Sequence, residues 1–174
     1  MKRLLNLKTV LVALSIGLAL PLACAQAQSP SDVLSGMNET PMHDAARMGT
    51  RQDVEGLLKA SAQNRDVRTP LGASPLHYAA MNGDSGPLKV LLAAGANPNA
   101  RDTDGRTPLH MAAFTTRKDN AMLLLQAGSD PMLKTNDGRD VLSMARKVRA
   151  DEIAGEISLW ILKGCKPGKP VKGC

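Results

Sequence analysis

The feature that most constrains this chain is that it repeats itself. Ser74-Pro75-Leu76-His77-Tyr78-Ala79-Ala80 returns as Thr107-Pro108-Leu109-His110-Met111-Ala112-Ala113, and Thr40-Pro41-Met42-His43-Asp44-Ala45-Ala46 precedes both. The prolines stand 34 and then 33 residues apart. A further 33 residues on lies a degraded copy, Asp140-Val141-Leu142-Ser143-Met144-Ala145, without the proline and the histidine. Self-similarity at this period marks a solenoid, in which each unit buries its apolar face only against its neighbours.

Each unit carries its own local signals. Thr or Ser before Pro suits a helix N-cap, with Pro at the first helical position, where its missing N–H costs nothing. The pairs Ala45-Ala46, Ala79-Ala80 and Ala112-Ala113 permit close helix approach. Gly49 and Gly83 are read as left-handed residues ending the first helices. The third unit has Thr116 there, followed by Arg117-Lys118-Asp119, so its turn is either rebuilt or strained. Second helices follow with one apolar face each: Val54, Leu57, Leu58; Leu88, Leu91, Leu92; Ala121, Leu124, Leu125. Gly95 and Gly128 end them, and Asp104-Gly105 and Asp137-Gly138 supply turn chemistry between units. The first such connection, Asp66 to Ala73, reads as irregular: Pro70-Leu71-Gly72 replaces the Asp-containing turn, and Ser61 exits the helix without glycine.

Thr-Pro-Leu-His-x-Ala at a 33-residue period resembles the ankyrin repeat, over about residues 38–160. The resemblance implies an all-α repeat solenoid: an ankyrin stack of about four helix-turn-helix repeats with short β-hairpin fingers, spanning 39–162. The repeats fall near 39–72, 73–105 and 106–138, with a capping unit at 139–162. In the cap, Ile153, Ile157 and Trp160 face inward, and Arg146, Lys147, Arg149, Asp151, Glu152 and Glu156 solvate the outside. The structural motif is carried by Pro75 and Pro108 with His43, His77 and His110, which the family uses as hydrogen-bonding clamps. These are all the histidines of the chain, and repeats would stack them about 10 Å apart, too far to converge on a metal. Asp102-Thr103-Asp104-Gly105 lacks the closing acidic residue of a calcium loop. No metal and no cofactor is expected.

The two ends read differently from the middle. Met1 to Lys8 is a short basic stretch, and Thr9 to Ala23 is 15 uncharged residues, short of the roughly 20 needed to span a bilayer. Ala23-Cys24-Ala25 and Ala25-Gln26-Ala27 are both A-x-A cleavage patterns. Residues 1–27 are therefore read as a signal peptide cleaved at Ala25 or Ala27, which sends the protein to the periplasm or outside the cell. The alternative is a lipoprotein acylated at Cys24, although Pro21 stands where that pattern expects Leu. A polar lead-in, 28–38, follows. After cleavage two cysteines remain, Cys165 and Cys174, with eight residues between them, and an oxidising compartment favours a disulfide closing the basic tail 163–174.

Charge excludes one class of partner. Of 22 basic residues, three lie in the leader (Lys2, Arg3, Lys8) and four in the tail (Lys163, Lys166, Lys169, Lys172). That leaves 15 against 16 acidic residues, a net of −1, so the chain's formal +6 is no argument for nucleic acid. The three aromatics, Tyr78, Phe114 and Trp160, make no base-stacking platform. No catalytic constellation is present: no nucleophile–base set, phosphate loop or carboxylate pair in a cleft.

What remains is a protein partner, bound by a chain monomeric on its own. The resemblance places the contacts on the finger tips and the exposed sides of the first helices. On the fingers these are Arg68, Leu71 and Ala73; Arg101, Thr103, Asp104 and Arg106; Lys134, Asn136 and Arg139. On the helices they are Arg47 and Met48, Met81 and Asn82, Phe114 and Thr115, with Met48, Met81 and Phe114 read as equivalent and as one exposed apolar row. Two roles fit an exported protein of this kind. Proteins it resembles are associated with peroxide defence and catalase; the alternative is an immunity or inhibitor protein that neutralises a toxin or enzyme.

Overall fold

A computed structural model of the protein describes residues 39–165. The leader with Cys24, the lead-in 28–38, and tail residues 166–174 with Cys174 lie outside them, so the Cys165–Cys174 pairing does too. Eight α-helices pair off along the described chain: α1 Pro41–Met48 with α2 Arg51–Ala60, α3 Pro75–Met81 with α4 Gly86–Ala93, α5 Pro108–Phe114 with α6 Lys118–Gln126, and α7 Val141–Lys147 with α8 Asp151–Leu162. One 3₁₀ turn, Ala62–Asp66, follows α2 and makes the helix exit that lacks a glycine. Inner helices α1, α3, α5 and α7 stack in that order, and α2 packs on α4 and α6 on α8. None of the described helices is long and apolar enough to cross a membrane.

Small residues set the spacing of the inner row. Ala46, Ala79, Ala80, Ala112, Ala113 and Ala145 are all buried, with Met42, Leu76, Leu109 and Val141 beside them. Val54, Leu88, Leu91, Leu124, Leu125, Ile157 and Trp160 complete one continuous core from the outer helices. Leu57, Leu58 and Leu92 pack against it half-buried. Each of these burials is worth about 1.5–3 kcal/mol for a large aliphatic side chain.

Buried polar groups give the stack its register, and they work at both ends of the inner helices. At the N-terminal end the histidines close capping boxes: Nδ1 of His43, His77 and His110 accepts the N–H of Thr40, Ser74 and Thr107 at 3.1–3.2 Å. Nε2–H then reaches the next unit, donating to Ala73 O (3.3 Å) from His43 and to Arg106 O (3.2 Å) from His77. For His110 the corresponding neighbour is the Arg139 carbonyl of the last unit. In the cap, where proline and histidine are missing, Asp140 replaces the device by accepting Ser143 N–H at 2.7 Å.

At the C-terminal end the connectors are asparagines, which the sequence reading did not pick out as such. Asn82 Nδ2 donates to Ala46 O and Gly49 O of the preceding unit, at 3.1 and 3.2 Å. Asn120 Nδ2 repeats this one unit on, toward Ala79 O, Ala80 O and Asn82 O, while its Oδ1 accepts the Ser85 hydroxyl. The carbonyls left over at a helix C-terminus are thus satisfied by the next repeat.

Two backbone expectations are reversed. Gly49 does not adopt a left-handed conformation (φ −84°), nor does Gly83. Gly49 is needed for closeness instead, because a Cβ there would lie 2.6 Å from Ala45 O. The same position in the later units is Thr116 and Arg149, and these do have positive φ, 58° and 57°. The turn at Thr116 is therefore strained rather than rebuilt, closed by Arg117 N–H to Ala112 O at 2.8 Å. The fingers also differ from expectation: no β-strand is present among the described residues. Each finger is a tight turn closed by a backbone bond at its base, Thr69 N–H to Ala73 O, Asp102 N–H to Arg106 O and Thr135 N–H to Arg139 O, and by a second inside it from the glycine N–H to Thr69, Asp102 or Thr135 O. The first is as regular as the others, since Gly72 takes the positive φ that Gly105 and Gly138 take.

Three outcomes are expected. Asn120→Ala removes the bonds to three helix-end carbonyls and should lower urea-unfolding stability by about 2 kcal/mol. Thr116→Gly should raise it by about 1 kcal/mol, by removing the left-handed penalty of a β-branched residue. Burial lowers the pKa of His43, His77 and His110 from their ordinary value of 6.5. The unfolded chain then binds more protons than the folded one just below that pH, so stability rises with pH there. The contribution is complete above about pH 6.5 and is lost as pH falls toward the lowered values. Unfolding midpoints should drop between pH 7.5 and 5, and His77→Gln should flatten the slope; an unchanged slope would refute the assignment.

Candidate functional site

The concave face is built from the side chains that each inner helix turns toward the fingers. Counting from each helix start, the seventh residues are Arg47, Met81, Phe114 and Lys147, and one turn earlier stand Asp44, Tyr78, Met111 and Met144. Residues three apart lie on one helical face, so these form two parallel rows across the stack.

At the C-terminal half the rows and the fingers enclose a cleft of about 450 Å³. Its floor is Met111, Phe114 and Met144, and its rim carries Arg106, Arg139 and Lys147 with Asp104 and Asp137. Phe114 is 52% exposed, a large apolar surface for an unpartnered ring. Arg106 is ion-paired with Asp104, and Arg139 with Asp137 at 3.1 Å. Lys147 enters no ion pair among the described residues. One unit earlier a smaller pocket of about 130 Å³ lies between Leu71, Thr103 and Asp104 of the fingers and Tyr78, Met81 and Met111 of the helices.

The N-terminal end of the face is closed by its own polar contacts. Arg47 pairs with Glu39 (3.2 Å) and Asp44 (3.0 Å), and its guanidinium lies 5.8 Å above the Tyr78 ring. The Tyr78 hydroxyl donates to Glu39 Oε1 at 2.8 Å. Burial, helped by that carboxylate, pushes its pKa up to about 12. Tyr78 therefore stays a protonated donor, and Arg47 is held rather than offered.

Adjacent fingers are strapped together by backbone-directed bonds. Thr103 N–H donates to Leu71 O, and Asn136 N–H to Asp104 O. Thr103 Oγ1 also donates to Leu71 O, and Asn136 Nδ2 to Thr103 O. Arg68 reaches Arg101 O at 3.2 Å and Arg101 reaches Lys134 O at 2.8 Å.

The sequence-predicted contact residues separate into groups. Met81, Thr103, Asp104, Arg106, Phe114, Asn136 and Arg139 line the two concave pockets. Arg68, Arg101 and Lys134 are exposed on the fingers but line neither pocket.

Met48, Asn82 and Thr115 require correction. They stand one residue beyond the concave row, and one residue is a rotation of about 100° around a helix. Met48 is 74% exposed but off the row, and the first-unit counterpart of Met81 is Arg47. Asn82 is buried at 9% exposure in the inter-repeat bonding described above, and Thr115 bonds back to Met111 O. Residue type pairs Met48 with Met81, whereas distance from the helix start pairs Arg47 with Met81. Tyr78, Met111, Met144 and Lys147, which residue type does not single out, also line the concave pockets, and the same count from the helix start finds them.

Among the described residues, no group of His, Cys, Asp or Glu could hold a metal ion. No curated protein was found to match the chain. A family model for ankyrin repeats, three copies, matches residues 42–135, more than half of the 174-residue chain. Such repeats generally mediate protein–protein interaction, and ankyrin domains are typically non-catalytic. With its helix pairs, histidine clamps and stacked finger turns over that span, the chain belongs to the ankyrin-repeat family.

Proposed function

We propose that this protein is a non-catalytic interaction module of the bacterial envelope, which holds a partner protein in its C-terminal concave cleft. The observation that carries the reading is the apolar floor of Met111, Phe114 and Met144 set inside a charged rim. Methionine, aromatic and arginine side chains are the types enriched where protein interfaces bury most energy. Export by residues 1–27, and a Cys165–Cys174 disulfide formed afterwards, belong to the same proposal and rest on the sequence alone. The role put forward is protection of the partner under peroxide stress, with inhibition of an envelope enzyme or toxin as the opposite outcome.

The test is a pull-down from envelope extract with residues 28–174, in parallel with Phe114→Glu. Because Phe114 is half-exposed, the variant should keep its circular dichroism spectrum. Capture by the parent and a loss of at least about tenfold in the variant is expected, equivalent to 1.4 kcal/mol or more. Equal capture by a folded variant would place the interface elsewhere. The captured protein's activity, assayed with and without peroxide, then separates protection from inhibition.

A further inference from the structure

One set of cations is not accounted for by the cleft. Arg68, Arg101 and Lys134 stand 33 residues apart, each immediately before the first residue of its finger turn. All three are exposed, and none enters an ion pair among the described residues. Their neighbours contrast with them: Arg106 and Arg139, on the cleft side of the same fingers, are each neutralised by an aspartate. The finger edge thus carries three cations outside any ion pair among the described residues, while the two arginines of the cleft rim are each paired.

The three cations are also rigidly spaced. The Arg68 guanidinium bonds to Gly72 O (2.7 Å) and Arg101 O, and that of Arg101 bonds to Lys134 O, so each arginine is laid against the next finger. In both, a single terminal nitrogen makes these carbonyl bonds, which leaves the other guanidinium N–H groups available to an incoming acceptor. Lys134 ends the series with its ammonium unbonded to any described residue. Pre-positioned cations lose little side-chain entropy on binding, which is what an exposed flexible lysine or arginine ordinarily forfeits.

We infer that Arg68, Arg101 and Lys134 form a cationic ladder that binds an extended acidic segment of a partner polypeptide running along the finger edge. Packed helices are about 8–10 Å apart, and the fingers repeat with them. A peptide in the extended polyproline II form advances about 3.1 Å per residue with three residues per turn, so every third side chain lies on one face and meets the next rung. Carboxylates suit the free guanidinium edges, which bind them in charge-assisted pairs. Nucleic acid is the poorer fit, since Arg68, Arg101 and Lys134 have no aromatic platform beside them for bases, and the repeat body carries no net positive charge. The inference rests on the reading that the array binds protein, but its residues are separate from the cleft.

The probe is a fluorescein-labelled peptide with glutamate at every third position and Ser/Gly between, titrated against residues 28–174 by anisotropy. A scrambled-spacing peptide of equal charge, a single-stranded oligonucleotide and phosphatidylglycerol vesicles serve as comparisons. Expected are saturable binding of the spaced peptide, weakening of about tenfold from 50 to 500 mM NaCl as charges are screened, and about threefold loss in Lys134→Gln. Lys134 makes no side-chain bond, so that variant keeps its fold, and Arg68→Gln/Arg101→Gln/Lys134→Gln should abolish binding. No binding, equal binding of the scrambled peptide, a preference for oligonucleotide or vesicles, or binding unchanged in the triple variant would overturn the ladder. Phe114→Glu should leave the probe's affinity unchanged, so failure of the ladder and failure of the cleft are read by different variants.

Discussion

Everything about the working face depends on a neutral imidazole at the third position of an inner helix. The ring must accept at Nδ1 and donate at Nε2 at once, because Nδ1 takes the cap residue's N–H while Nε2 holds the next finger's carbonyl. Protonating Nδ1 would set two donors against each other, and burial resists the charged form as well. One side chain therefore starts a helix, fixes a tautomer and positions a finger over the helix below. The concave pockets exist because the finger is held there.

The asparagines do the matching task at the other end. Apolar contacts between helices are non-directional and would tolerate sliding, whereas Asn82 and Asn120 each bond to specific carbonyls of the preceding unit. With histidine at one end and asparagine at the other, register is set by hydrogen bonds and stability by the aliphatic core. The device is not uniform. It links units one, two and three, and the cap relies on Asp140, ordinary burial of Ile153, Ile157 and Trp160, and the Lys118 pairs with Glu152 and Glu156.

Repetition made most of this fold legible before any coordinates. The helix pairs, their boundaries near proline, the aliphatic faces and the histidine slot all follow from aligning the copies. Three things did not. Glycine at 49 and 83 looked like left-handed punctuation, but composition alone cannot distinguish a glycine needed for φ from one needed for proximity to Ala45 O. A Thr and an Arg with positive φ break the usual preference, and only the surrounding packing holds them there. Side-chain type pairs Met48 with Met81, but helical phase puts Met48 one residue off the concave row, and phase decides which way a side chain points. Asn82 was lost for the same reason: an amide next to a predicted surface methionine looks like a contact, while its buried partners lie 33 and 36 residues away.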